Sequence, residues 1–168
     1  MVKLLAGITV AVSQAFILIC VCFGIMFLLY GSAGWNAMIQ NVIPSSPWNI
    51  TIGNMFGIYA GLAVLISIFF AVTNLIISHF TKSSVATMAI HAAIVFSGLF
   101  NIPGKLGLIS KLWQLRPTMA LYYGTFCNTY MYGCFNNVEI SFIIYTFLAV
   151  LLSAILILSY KKSQIESR

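Results

Sequence analysis

Between Lys3 and Lys82 the chain runs for 78 residues without an Asp, Glu, Lys or Arg. A soluble domain cannot build a surface that water tolerates from so much uncharged chain, whereas a protein embedded in hydrocarbon needs no such surface. Two long apolar runs flank a short neutral segment inside this gap. The chain therefore reads as an integral membrane protein from its first residues. The same emptiness removes most of the side chains that perform acid–base or metal chemistry.

Of the 168 residues, 61% are hydrophobic and only 6% charged, which leaves little chain for a soluble appendage. A single membrane domain covering residues 1–168 is expected. The net charge of +6 comes from eight Lys and Arg against two acids, Glu139 and Glu166. These cations sit mainly at segment ends and in one loop, as snorkelling and the positive-inside rule require, so no nucleic-acid partner is expected. The run Leu4–Tyr30 is too long for the apolar core of a signal peptide and reads as an uncleaved span, although Gly31-Ser32-Ala33 would suit a peptidase. Val2 excludes N-myristoylation, and no prenylation box is present.

Length and polarity mark four spans, Leu4–Tyr30, Ile52–Ser78, Ser84–Phe100 and Ile140–Tyr160. The expected fold is all-α, an antiparallel bundle of four transmembrane helices. The tight turn His79–Ser83 makes the second and third spans a hairpin, and Pro103-Gly104 ends the third. Lys3, Lys82, Lys161, Lys162 and Arg168 fall on one side, and Lys105, Lys111 and Arg116 on the other. That distribution puts both termini in the cytoplasm, with a short neutral first loop and a longer second loop, Ile102–Glu139, extracellular or lumenal. Within the second loop, Leu106, Ile109, Leu112 and Trp113 recur at helical spacing, which suits a short helix lying in the interface plane. An irregular loop covering the bundle accounts for the same residues. The stretch from Tyr122 to Phe135 has the composition of an aromatic belt.

Inside a bilayer, helices associate by close packing, which small residues permit. Gly53, Gly57 and Gly61 recur at every fourth position of the second span. Gly7, Ala11 and Ala15 do so in the first, Ala89, Ala93 and Ser97 in the third, and Ala149 and Ser153 in the fourth. Packing within the chain explains such rows, and the triple-glycine row is the candidate for a partner subunit. Gln14 and His91 are polar side chains placed within spans, where they either bond to each other or face another chain.

Nothing in the sequence assembles a catalytic, cofactor or metal site. His79 and His91 lie about three helical turns apart and cannot bind one haem iron from opposite sides. Two distant carboxylates and four cysteines give no ligand spacing. Cys20 and Cys22 read as buried small hydrophobes. Cys127 and Cys134, in the second loop, are a candidate disulfide in an oxidising compartment, closing a small loop worth about 2–3 kcal/mol. Asn49-Ile50-Thr51 is the only N-glycosylation sequon, and it stands so near the second span that non-use is expected.

Four spans with cytoplasmic ends, a short first loop and a cysteine-bearing second loop resemble tetraspan proteins. The pattern is most similar to the membrane-spanning four-domain family of immune-cell surface antigens, in which two second-loop cysteines precede the last span, as Cys127 and Cys134 do here. Claudins fit less well, because Gly31–Thr51 carries Trp35 and Trp48 but no cysteine. The Cys-Cys-Gly of tetraspanins is absent. The expectation is a non-catalytic membrane subunit that packs against a larger channel, receptor or transporter. The alternative is a homo-oligomeric pore or passive facilitator lined by Gln14, His91, Asn54 and Asn74. Its partners are then the lipid bilayer and either other transmembrane subunits or copies of itself.

Overall fold

The computed structural model describes residues 2–97, 100, 107–121 and 137–166. The architecture is helical, with a single isolated bridge between Met38 and Thr51 among the described residues. The elements are α1 (Val2–Tyr30), a 3₁₀ turn (Ile39–Asn41), α2 (Ile52–Thr81), α3 (Ser84–Phe96), α4 (Leu108–Gln114), α5 (Pro117–Ala120) and α6 (Val138–Glu166).

Three helices, Val2–Leu29, Ile52–Thr81 and Val138–Lys161, are long and apolar enough to cross a membrane. The third segment departs from the expectation. Instead of a span over Ser84–Phe100, α3 is an apolar helix of 13 residues, about 20 Å long and short of a ~30 Å hydrocarbon core. Its end is local: Ser97 caps it and turns its hydroxyl back to the Ile94 carbonyl, and the sequence continues with a glycine.

The helix ends follow familiar chemistry. Gly31, at φ 64°, closes α1 with its N–H on the Phe27 carbonyl, the left-handed position that glycine occupies without cost. Thr51 caps α2 by accepting the Asn54 N–H, Ser83 caps α3 through Ala86, and Asn137 accepts the Ile140 N–H of α6. Lys82 ends α2 at φ 50°, a left-handed conformation that disfavours a side chain. Lys82→Gly is therefore expected to stabilise the α2–α3 turn by about 0.5–1 kcal/mol. Reversible unfolding in mixed micelles, followed by helicity, measures this; a destabilised variant would place the value of Lys82 in its side chain.

α2 is the central helix, and α1, α3 and α6 pack on it. The contacts fix the directions. Leu4 of α1 meets Val72 of α2, whereas Phe23 meets Phe56, so α1 and α2 are antiparallel. Thr87 approaches Thr81 while His91 lies on Phe70, so α3 also runs against α2. Val138 packs with Met55, Tyr145 with Leu62 and Ile66, and Leu156 with Val72, so α6 runs parallel to α2. One end of the bundle thus gathers Lys3, Lys82 and Lys161, together with a His79–Tyr160 ring contact at 4.6 Å.

The first loop is more than a connector. Ile39 and Ile43 are buried against Met55 and Val138, closing the end of the bundle opposite the termini. Backbone bonds from Ile39 to Ile50, Ile52 to Ala37 and Gly53 to Trp35 (2.9, 2.9 and 3.0 Å) hold the loop down. Trp35 stacks on Phe56 at 5.6 Å and meets Phe23 edge-on at 5.7 Å.

Candidate functional site

A cleft of about 720 Å³ opens between α1, α2 and α3. It exists because α1 and α3 both lean on α2 without packing closely on each other. Gly7, Ala11 and Ala15 supply the α1 wall, and their small side chains leave room there. At Gly7, α1 lies close against α2: a Cβ at that position would lie 3.0 Å from Leu75 Cδ1.

Four polar side chains face this cleft: Gln14 from α1, Ser67 and Asn74 from α2, and His91 from α3. Ser67 satisfies its hydroxyl within its own helix, on the Ala63 carbonyl at 2.8 Å. His91 packs its ring on Phe70, with centroids 4.8 Å apart. Its Nδ1 is buried without a hydrogen-bond partner. Gln14 and His91 share the cleft, as their placement in the sequence suggested, but no hydrogen bond joins them among the described residues. Amide and imidazole groups in apolar walls cost free energy unless a partner completes their bonding. The cleft offers amide, hydroxyl and imidazole groups and no Asp, Glu, Lys or Arg.

The remaining expected sites separate. Asn54 stands at the far end of α2 from Asn74, about 30 Å away along the helix, and does not reach the cleft. The glycine row of α2 does not face one neighbour. A Cβ at Gly53 would run into the Trp35 indole, one at Gly61 would meet Phe142 at 3.7 Å, and one at Gly57 would meet nothing within 4 Å. Successive i+4 positions drift around a helix, which sends the first and last of the row to different partners. On α3, Ala89 and Ala93 are exposed and Ser97 is half-buried.

Cys20 and Cys22 are exposed free thiols on α1, which corrects the expectation of burial: α1 meets one neighbour, and most of its circumference is uncovered. Cys22 also lines a second cavity of about 360 Å³, walled by Phe23, Trp35 and Phe56 and bordered by Leu121. Asn49 is exposed in the first loop, while Thr51 of its sequon serves as a helix cap. Cys127 and Cys134, Lys105 and the aromatic stretch from Tyr122 to Phe135 lie outside the described residues.

Two features were not anticipated. Leu115 offers its carbonyl to the Tyr145 hydroxyl at 2.7 Å, and the Phe100 carbonyl accepts from both Trp113 Nε1 (2.8 Å) and Arg116 (2.7 Å). Both pair residues far apart in sequence, and no local spacing announces them. No family model, curated protein or solved structure matches this chain.

Proposed function

We propose that this chain is a non-catalytic integral membrane subunit that docks another transmembrane protein in the cleft between α1 and α3. The observation that carries the reading is the open-sided cleft itself, with Gln14, Asn74 and His91 lining a region that hydrocarbon would otherwise fill. A transmembrane helix bearing a complementary polar side chain fills that volume and offers hydrogen bonds to Gln14 and Asn74.

The topology in this proposal has four crossings, with both termini and the α2–α3 turn in the cytoplasm. Support comes from the parallel run of α2 and α6: one ends where the termini gather, the other begins at the opposite end, and the intervening chain must return across the bilayer. The gathering of Lys3, Lys82 and Lys161 at one end agrees with the positive-inside rule.

Purification in mild detergent tests the function. The expected result is a stoichiometric co-purifying membrane protein, with association weakened about fivefold by Gln14→Leu, the value of roughly 1 kcal/mol for one interhelical polar contact. A monodisperse monomer would sink the proposal. The second reading, a homo-oligomeric pore or facilitator, gains from Gln14, Asn74 and His91 sharing one cleft and loses Asn54. Pure protein in liposomes separates the two: solute flux abolished by His91→Leu supports the pore, and no flux leaves the docking subunit.

A further inference from the structure

We propose that Arg116 binds the phosphodiester of an anionic lipid in the leaflet opposite the chain termini. The leaflet follows from the four-crossing topology; the charge argument is independent of it. The segment 107–121 lies on the return path between α2 and α6 and is fastened there by the Tyr145–Leu115 bond and by Ala120, fully buried against Leu62, Ile66 and Tyr145. Tyr145 is seven residues into α6, about 10 Å from its start, and the apolar part of that helix, Val138–Lys161, is about 36 Å long and overruns a ~30 Å core by about 3 Å at each end. Leu115 therefore sits about 7 Å inside the hydrocarbon boundary, a distance that the neighbouring arginine side chain spans by snorkelling to the phosphates.

The orientation of α4 agrees. Leu108, Ile109 and Leu112 are 71%, 56% and 58% exposed, while Ser110 is buried. The apolar side chains point away from the protein, the reverse of a helix on a soluble surface and the arrangement of one immersed in lipid.

Arg116 is a permanent cation at this depth. One terminal nitrogen donates to the Phe100 carbonyl, the guanidinium carbon lies 5.5 Å from the Trp113 ring centroid, and Nε is buried without a partner. Among the described residues it makes no ion pair, and the chain's only acids are Glu139 and Glu166. The Phe100 and Trp113 contacts fix the guanidinium without neutralising it. Glu139, the acid at this end of α6, is exposed and makes no ion pair with Arg116, so the second terminal nitrogen is left to donate to a lipid phosphate oxygen.

The test uses the full chain in lipid nanodiscs, with retained lipid counted by native mass spectrometry. Discs of phosphatidylcholine are compared with discs doped with phosphatidylglycerol. The expected result is selective retention of phosphatidylglycerol by the wild type, with apparent affinity about tenfold lower in Arg116→Gln. Equal retention of the two lipids by the wild type would overturn the proposal and point to a counter-charge elsewhere, such as a partner's carboxylate. So would unchanged selectivity in Arg116→Gln. Inorganic phosphate that stabilises the protein in neutral discs as much as phosphatidylglycerol does would mean a free-anion site and also overturn it. If Arg116→Gln does not fold, Arg116→Lys takes its place, keeping the charge but not the guanidinium contacts; its selectivity is expected to fall, and unchanged selectivity would overturn the proposal. No partner subunit is needed, so the outcome is independent of the docking proposal.

Discussion

Gly53→Leu is expected to open the capped end of the bundle. The Gly53 N–H bonds the Trp35 carbonyl, and the Trp35 indole occupies the space a side chain would need. The indole has little room to yield, since Phe56 stacks on one face and Phe23 meets it edge-on. Overpacking at such a site costs about 1–3 kcal/mol. Here it would also lift the loop that carries Ile39 and Ile43. Titration with a denaturing detergent measures the loss. Gly57→Leu is the control, since nothing lies within 4 Å of that position; it should be neutral or slightly stabilising, as glycine is a poor helix former. Equal losses at both positions would show that the glycine row acts as one face after all.

Leu62→Ala is the second large effect. Leu62 is fully buried where α2, α6 and α5 meet, beside Ile66, Ala120 and Tyr145. In a soluble core this substitution costs about 3–5 kcal/mol, part of it the transfer of the lost methyls out of water. Inside a bilayer the separated helices also rest in hydrocarbon, so that part falls away and the cavity remains, about 2 kcal/mol. The same titration checks it. An effect below about 0.5 kcal/mol, the size expected of a lipid-facing site, would contradict the central position of α2. Leu28→Ala, at an exposed site on α1, supplies that comparison.

The sequence specified the solvent, three of the helices to within a few residues and the α2–α3 hairpin, because apolar length and capping residues are local signals. The first loop was harder to read. Ile39, Ile43 and Trp48 stand in a neutral stretch rich in Asn, Ser and Pro, and their burial depends on meeting Met55 and Val138 from distant elements. The described α3, Ser84–Phe96 with Ser97 as its cap, is shorter than the expected span because the apolar composition on which that span rests continues past the cap. Gln14 and His91 were found as polar exceptions within apolar spans. That they share a cleft depended on the crossing geometry of three helices, and Asn54 failed to join them because it sits at the wrong end of α2. The roles of Arg116 and Tyr145 rest on contacts to backbone carbonyls, which leave no mark in side-chain spacing.

The central claim is that a partner helix occupies the cleft between α1 and α3. Photo-crosslinking in native membranes tests it most directly, with a photoreactive residue at position 14 and, as reference, at the exposed position 16 on the opposite side of α1. The account predicts a discrete protein adduct from position 14 that is lost in the His91→Leu background, and only lipid adducts from position 16. Lipid adducts alone from both positions, or the same protein adduct from both, would contradict it.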